Sequence, residues 1–307
     1  MNGYKKIFKS KKLRIAILQT LNFLPDKSML KIQYFIKLKR RLNLKSPVRY
    51  SEKVQWYKLY YRDNLMKICC DKADVRSYVK ECGMENILNE CYGVYSSAKE
   101  IDFDCLPESF VIKDTMGGGG DSVILVDNKN DVDIQKLHNV ITSWVQSPVE
   151  KKNVGREWVY DGKKHRIIIE KLLKADDSGD LPDYKFFCFN GEVFCSYMMK
   201  NYTKNHSKGI MGFFDRDFNL LPVWRADFAP MKEQPVKPKN YDEMVKMAEI
   251  LSKPFPHVRV DFYNIDGKII FGELTFFNAS GYTQFEPDEF DITMGEQFVL
   301  PHSSVKD

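Results

Sequence analysis

The distribution of apolar and polar positions predicts a β-hairpin near the C-terminal end of the chain. Residues 258–262 alternate between apolar and polar side chains, and a second apolar run at 268–274 follows a turn-forming segment at 264–267. Alternate side chains of a strand lie on the same face. Asp261 and Glu273 fall on the two predicted strands, so antiparallel pairing is expected to bring their carboxylates close together.

The rest of the chain mixes helical and strand periodicity. Helical spacing predicts helices at 51–68, 71–82, 131–147 and 241–251, and apolar runs predict strands at 110–113, 166–170, 184–189 and 192–197. Asn190 and Gly191 supply a hairpin turn between the last two strands. Because strands and helices do not alternate regularly, the pattern favours an antiparallel α+β fold over a parallel βαβ fold.

Four consecutive glycines, Gly117, Gly118, Gly119 and Gly120, separate two predicted strands. The run is not a P-loop, because it lacks the Gly-Lys-Ser/Thr ending and the helix that follows it. Two interpretations remain open at this point. The glycines form a flexible turn, or they form a mobile flap whose backbone N–H groups cover phosphates while Lys113 neutralises them.

The composition indicates a globular chain that buries a substantial core. It has 307 residues, of which 43% are hydrophobic and 13% aromatic. The sequence shows no apolar run of membrane-spanning length and no signal-peptide pattern at its N-terminal end. Seven cysteines without CxxC spacing and five scattered histidines fit neither a disulfide framework nor a zinc site. We therefore expect a reduced, cytoplasmic protein.

The charge is distributed unevenly. Residues 1–45 contain thirteen Lys or Arg and one acid, Asp26, a charge of +12, whereas the whole chain carries +5, which leaves −7 for residues 46–307. Apolar residues at helical spacing predict two basic amphipathic helices in this segment, broken at Pro25. Three interpretations are open: a helical cap with a solvated basic face, a surface that binds anionic lipid at the inner face of the cytoplasmic membrane, and a nucleic-acid contact. We expect no nucleic-acid partner.

The hairpin acids are candidates for metal binding. Mg²⁺ prefers clustered carboxylate oxygens and keeps positions open for phosphate oxygens, so Asp261 and Glu273 predict a magnesium site. Arg259 lies two residues before Asp261, on the same face, and its guanidinium matches a phosphate group. The alternative is an ordinary solvated acid pair.

The order of these parts resembles the ATP-grasp superfamily, whose members activate a carboxylate as an acyl-phosphate. The order is Asp71-Lys72 at a helix start, Lys113 before the glycines, Glu170-Lys171-Leu172-Leu173, Asp183, and then Arg259, Asp261 and Glu273. Residues 183–191 and 272–277 resemble more closely the TupA-like ATP-grasp family of bacterial surface and capsular polysaccharide loci. The resemblance runs from about Leu24 to Pro301. It implies a basic helical segment at 1–66 and an ATP-grasp domain at 67–302, with a nucleotide cleft between about 67–165 and 166–302.

The resemblance also implies roles for individual residues. The implied ATP-binding residues are Lys72, Lys113, Gly117, Gly118, Gly119, Gly120, Glu170, Lys171, Leu173 and Asp183. Asp261 and Glu273 would hold Mg²⁺, with Thr275 in a position where many ATP-grasp enzymes have an Asn ligand; Asn278 is a candidate replacement. The implied catalytic residues are Arg259, Lys113 and Lys185. Lys185 either points into the cleft or extends to solvent.

The function implied is an ATP- and Mg²⁺-dependent carboxylate–amine ligase that decorates a surface or capsular polysaccharide, for example by joining an amino acid to a uronic acid. Two alternatives are a glycosyltransferase that uses a nucleotide sugar and an ATP-grasp kinase that phosphorylates a sugar. No Asp-x-Asp motif lies in a Rossmann-like setting, which disfavours the glycosyltransferase. Arg166, Lys200 and Lys204 are candidates for binding an anionic acceptor, with ordinary surface charge as the alternative.

Overall fold

The computed structural model describes residues 18–118, 120, 122–174, 181, 183–200 and 209–303. The helices are α1 (Asp26–Leu38), α2 (Tyr50–Tyr60), α3 (Asn64–Cys69), α4 (Val75–Glu81), α5 (Ile134–Val145), α6 (Tyr241–Ser252) and α7 (Phe290–Gln297). The strands are β1 (Cys91–Tyr95), β2 (Phe110–Asp114), β3 (Val123–Val126), β4 (Ile167–Glu170), β5 (Asp183–Phe189), β6 (Glu192–Lys200), β7 (Ile210–Asp215), β8 (Leu220–Leu221), β9 (Trp224–Arg225), β10 (Ala229–Pro230), β11 (His257–Ile265), β12 (Lys268–Thr275) and β13 (Phe285–Glu286).

The strands form two principal sheets. The smaller sheet has the order β1-β4-β2-β3, and the larger has the order β10-β7-β6-β5-β11-β12, with β8 beside β7. Neighbouring strands are antiparallel throughout, except for the parallel pair of β10 and β7. The predicted α+β class, with antiparallel sheets, is therefore confirmed.

The two predicted hairpins of the larger sheet are present with the expected turns. Asn190 and Gly191 join β5 to β6 with φ values of 51° and 83°, and Asp266 and Gly267 join β11 to β12 with 52° and 89°. Two successive residues of positive φ are the signature of the tight turn whose twist matches paired strands. Asn, Asp and Gly adopt this conformation at low cost, which explains why the sequence turns at these positions.

The main hydrophobic core lies around the larger sheet. Helix α6 covers one face, where Tyr241 packs against Phe186 with ring centroids 5.5 Å apart. On the other face, the fully buried His257 accepts or donates hydrogen bonds at both ring nitrogens, 2.9 Å from the hydroxyl of Tyr50 and 2.9 Å from the carbonyl of Cys188. The carbonyl can only accept, so Nδ1 of His257 donates and the buried ring is neutral when Nε2 accepts.

The two sheets draw on different parts of the chain. Strand β4 pairs with β1 and β2, so residues 167–170 belong to the smaller sheet, and the domain bounds and the cleft near residue 166 stay a prediction. Helices α3 and α4 contribute residues to the core of the larger sheet, whereas the smaller sheet packs mainly against α5. The reason is that α3 and α4 bury their apolar faces against the larger aromatic core.

Some helix bounds also differ from prediction. The single helix expected at 51–68 is two helices, because Asp63 is extended and caps α3 by accepting a hydrogen bond from the N–H of Leu65. The helix expected from Asp71 begins at Val75. The Asp71 carboxylate accepts hydrogen bonds from the N–H groups of Ala73 and Asp74 and so forms a turn before the helix. Helix α1 begins directly after Pro25, as predicted. Among the described residues, no helix has the length and apolar character needed to cross a membrane.

Candidate active site

One face of the larger sheet carries a cluster of charged side chains. Asp261 on β11 lies directly opposite Lys185 on β5 and Glu273 on β12. Arg259 lies two residues before Asp261 and opposite Thr275, and therefore on the same face. We call Asp183, Lys185, Arg259, Asp261, Glu273 and Thr275 the charged cluster. The prediction that the hairpin brings the Asp261 and Glu273 carboxylates together is confirmed.

A β-bulge at Gly272 makes this pairing possible. The turn places Ile265 opposite Lys268, and an unbroken continuation of that register would pair Asp261 with Gly272. Glu273 would then face the α6 side of the sheet. A register shift leaves Gly272 as an extra residue, so Glu273 lies opposite Asp261. A Cβ atom on Gly272 would lie 3.0 Å from the backbone oxygen of Asp261, a tight contact that favours glycine at this position.

Arg259 joins the two carboxylates. Its Nε donates to Asp261 Oδ1 at 2.7 Å, and its Nη2 donates to Asp261 Oδ2 at 2.6 Å and to Glu273 Oε1 at 2.9 Å. Nη2 also lies 3.0 Å from Thr275 Oγ1, and Nη1 donates to Asn278 Oδ1. The residue is 7% exposed. Because one nitrogen contacts both carboxylates, their oxygens converge on a single positive centre.

The charges of the cluster perturb its pKa values. Burial alone would raise the pKa of Glu273, but the positive charges of Arg259, Lys72 and Lys185 outweigh it and lower the pKa to about 2. Burial alone would lower the pKa of Lys185, but Asp183 and Asp261 raise it well above its usual value. Glu273 is therefore ionised and Lys185 protonated at neutral pH.

Lys185 points into the cluster and does not extend to solvent. Its Nζ lies 2.7 Å from Asp261 Oδ2 and also pairs with Asp183, and its side chain is 12% exposed. Asp183 bonds to Lys185 in this structure, and its assignment to the ribose hydroxyls stays a prediction. The cluster thus balances two cations against three carboxylates.

The donor atoms suit a magnesium ion. Among the described residues, no group of three or more His, Cys, Asp or Glu side chains could hold a metal. Mg²⁺, however, is commonly bound by one or two carboxylates together with water and phosphate oxygens. Asp261 and Glu273 supply two convergent carboxylates, and Thr275 and Asn278 add neutral oxygens beside them. The residues present therefore fit the ion, and their assignment as ligands stays a prediction.

A second charged group lies on the smaller sheet. Glu170 accepts from Lys113 Nζ at 2.8 Å and from Arg76 Nη1 at 2.9 Å. Lys113 and Glu170 share a face, because Val111 lies opposite Glu170 and two residues before Lys113. Arg76 was not predicted from the sequence. It stands 94 residues from Glu170 on a helix, and no local pattern relates the two.

Lys72 lies beside the glycine loop. Its Nζ donates to the carbonyl of Gly117, and its backbone N–H donates to Thr115 O at 3.0 Å. The preceding residue, Asp71, is 1% exposed and fixes this turn. The charge of Lys72 also acts on Glu273, so the predicted phosphate-binding and metal-binding groups are electrostatic neighbours.

The predicted strand–loop–strand arrangement around the glycines is confirmed, since β2 and β3 pair on either side of them. A Cβ atom on Gly117 would lie 2.7 Å from the Cβ of Ser122, and Gly120 has a φ of 80°. Both positions therefore require glycine for conformational reasons. Gly118 is exposed and has no such restriction, and Gly119 lies outside the described residues.

The segment after β4 is partly engaged within the chain. The N–H of Lys171 donates to Glu90 O at 2.9 Å, and its carbonyl accepts from Asn89 Nδ2 at 2.8 Å. A contact from the Lys171 N–H to an adenine ring would have to replace the first of these bonds. The backbone of Leu173, the other predicted adenine contact, is the simpler candidate.

The acceptor candidates have different surroundings. Arg166 donates to Asp71 Oδ1 at 2.9 Å and to Asp74 Oδ1 at 2.6 Å, so its charge is used within the fold. Lys200 lines a cavity of about 620 Å³ beside β7 and β10, and none of the residues lining that cavity belongs to the charged cluster. Lys204 lies outside the described residues. The charged cluster is thus identified by its chemistry and not by cavity size.

Comparison with known proteins gives one extensive match. The family model described as TupA-like ATPgrasp matches residues 52–299. No curated protein sequence matches the chain. Similar solved structures include D-alanine–D-alanine ligase from Bacillus anthracis, with 17% identity over 68% of this chain and 57% of that chain and a TM-score of 0.41.

Two further solved structures are similar at the same low level. D-alanine–D-alanine ligase from Helicobacter pylori has 13% identity over 82% of this chain and 69% of that chain, with a TM-score of 0.43. N5-carboxyaminoimidazole synthetase from Staphylococcus aureus, complexed with ADP, has 12% identity over 77% of this chain and 54% of that chain, with a TM-score of 0.43. The chain spans little more than half the length of the first structures it matches.

Proposed function

The chain belongs to the TupA-like ATP-grasp family, and from that premise we propose that it is an ATP- and Mg²⁺-dependent carboxylate–amine ligase. The proposed reaction transfers a phosphoryl group from ATP to a carboxylate, and an amine then displaces phosphate from the acyl-phosphate to give an amide. The observation that supports this most directly is the contact of Arg259 Nη2 with both Asp261 and Glu273.

The charged cluster has the properties that phosphoryl transfer requires. Catalysis of this step depends on positioning and on neutralising negative charge that spreads over the transferred group. Mg²⁺, when bound, supplies charge neutralisation and orients phosphate oxygens. Asp261 and Glu273 would hold the ion, with Thr275 beside them. Arg259 and Lys185 are proposed to direct positive charge at the transferred group.

The smaller sheet is the proposed adenine-binding surface. Lys113 and Glu170 share one face with Val94, Val123 and Leu125, which are 42%, 36% and 61% exposed. Exposed apolar side chains beside a hydrogen-bonding acid suit a planar base. Glu170 is proposed to accept from the base while Lys113 turns toward the phosphates, which would require the 2.8 Å bond between them to open.

The glycine loop is proposed to close over the bound phosphates. Lys72 already contacts Gly117, and its charge lies close enough to lower the pKa of Glu273. A closing loop would also keep water from the acyl-phosphate until the amine arrives. The contact of Lys72 with Gly117 supports this interpretation over the simple flexible turn.

The proposed acceptor is a carboxylate-bearing glycan, such as a uronic acid, and the proposed donor is an amine or amino acid. This choice rests on the family resemblance to polysaccharide loci and on the ligase chemistry above. It makes the protein a candidate enzyme of bacterial surface or capsular polysaccharide synthesis.

Incubation of the protein with ATP and Mg²⁺, followed by panels of uronic acids and amino acids, tests the proposal. We expect ADP, phosphate and an amide only when both substrates are present. ADP with a stable phosphoester would instead identify a sugar kinase, and ATP-independent release of UDP from a nucleotide sugar would identify a glycosyltransferase. The Glu273→Gln variant, with the same panels, controls for contaminating activity.

A further inference from the structure

Helix α1 is held in a fixed orientation by its inner face. Leu30, Tyr34 and Leu38 are buried in a small cluster with residues of the following loop. Gln33 Nε2 donates to Val154 O at 2.7 Å, and the hydroxyl of Tyr34 lies 2.8 Å from Ser51 Oγ. Because both apolar and polar contacts fix the helix, the same residues always lie on its opposite face.

That opposite face combines exposed apolar side chains with lysines. Phe23, just before the helix, is 80% exposed, Phe35 is 55% exposed and Ile32 is 37% exposed. Lys27 and Lys31, and Lys39 just after the helix, are also exposed. We call Phe23, Lys27, Lys31, Ile32, Phe35 and Lys39 the outer face. Large apolar side chains interleaved with basic ones are typical of helices that lie in a membrane interface.

The lysines of the outer face form no salt bridge with an acid among the described residues. Asp26, the single acid of residues 1–45, pairs with Lys152 and Arg156 of the main body. Within the described part of the chain, no acidic group forms a salt bridge with Lys27 or Lys31. The helix therefore presents positive charge outward.

We propose that the outer face docks on the surface of a bilayer containing anionic phospholipid. The lysines would contact lipid phosphates while Phe23, Ile32 and Phe35 enter the boundary between head groups and acyl chains. The charge complementarity selects an anionic surface, and the three exposed apolar side chains favour lipid over a nucleic-acid backbone, which offers phosphates but no apolar layer. This proposal does not depend on the reaction the enzyme catalyses.

The expected contributions are large enough to measure. Each lysine near an anionic leaflet strengthens binding by about fivefold, so loss of three lysines lowers it by about a hundredfold. Burial of one phenylalanine side chain strengthens binding by about tenfold or more. The proposal requires both the electrostatic contribution of the lysines and the apolar contribution of the phenylalanines, since a purely electrostatic contact would not respond to loss of the phenylalanines.

The test uses the full chain and flotation with vesicles of phosphatidylcholine, with or without phosphatidylglycerol. We expect binding only to the anionic vesicles, and weaker binding at high salt. The triple variant Lys27→Gln, Lys31→Gln and Lys39→Gln and the double variant Phe23→Ser and Phe35→Ser should each bind far more weakly. Because these positions are exposed, thermal unfolding should be unchanged.

A matched control removes the same charge elsewhere. Lys99, Lys246 and Lys268 are exposed and lie on other elements, so their triple change to Gln should leave vesicle binding near the wild-type value. Equal loss in this control would show that total charge and not the outer face governs binding, and would overturn the proposal. Three further results would overturn the proposal. The phenylalanine variant could bind vesicles as the wild type does, or sedimentation could show that this variant has lost a dimer. The protein could also bind a single-stranded oligonucleotide more strongly than vesicles.

Discussion

Asp261 and Glu273 should be equally important for turnover but very different for stability. Asp261 is 2% exposed and accepts three hydrogen bonds from cations, two from Arg259 at 2.6 and 2.7 Å and one from Lys185 at 2.7 Å. The Glu273 side chain is 41% exposed and accepts from Arg259 and from Thr275, each at 2.9 Å. The same change, carboxylate to amide, therefore removes a buried charge in one case and a half-exposed one in the other.

The magnitudes follow from this difference. Removing one partner of a buried ion pair typically costs about 3–5 kcal/mol. For Asp261→Asn we expect the lower end, about 3 kcal/mol, because Glu273 and Asp183 still face the two cations. For Glu273→Gln we expect about 1 kcal/mol or less, since solvent screens the pair. Both changes remove a proposed metal-ligand charge, so each should lower turnover at least about a hundredfold.

Urea unfolding in the presence of EDTA measures the stability difference without bound metal, and ADP release at saturating Mg²⁺ measures turnover. Glu192→Gln, which neutralises an exposed strand carboxylate outside the charged cluster, is the matched control and should change neither quantity. Equal destabilisation by the two cluster variants would contradict the burial argument. Near-normal turnover in either would remove that residue from the metal site.

Further outcomes are expected at other positions. Lys72→Ala and Lys113→Ala should raise the Kd for ATP in calorimetry. Arg259→Lys keeps the charge but loses the guanidinium fork, so it should lower kcat more than it raises KM. Unchanged values in all three variants would show that these residues do not act on the nucleotide. Burial lowers the pKa of His257 from 6.5 to about 4, so the stability that its neutral form gives above pH 6.5 is lost as the pH falls towards 4. When the urea midpoint is measured against pH, the His257→Phe variant should lose less stability between pH 6.5 and pH 4 than the wild type, although the variant is less stable at neutral pH. Gly272→Ala should lower turnover in a folded protein, because its methyl group would press on the backbone of Asp261; wild-type turnover would show that the bulge tolerates a side chain.

The sequence predicted features that depend on local chemistry. Asn190-Gly191 and Asp266-Gly267 both form turns of positive φ, and the acids flanking the second turn lie opposite each other. The two turns follow from their turn residues, which are readable within a window of about ten residues. The opposition of the two acids also needs the bulge at Gly272, which regular alternation does not predict. The family resemblance added the order of the distant lysines and acids, which no local pattern supplies.

The sequence did not predict features set by contacts between distant segments. Lys58, on α2, is 1% exposed and donates to Gly155 O at 3.0 Å and Ser280 O at 2.9 Å. Arg76 reaches Glu170 from another element. Burial of a lysine or pairing of an arginine depends on which carbonyls and carboxylates the fold brings near, and sequence spacing does not contain that information.

The bulge at Gly272 makes the length of the hairpin matter more than its composition. Deleting a single residue between Asp261 and Glu273, on either strand, would restore a regular ladder or displace the turn, and either change would separate the two acids or move one to the opposite face. Substitutions at the same positions need only preserve strand packing. In other members of the family we therefore expect the number of residues between the corresponding acids to be held constant, even where the residues themselves have diverged.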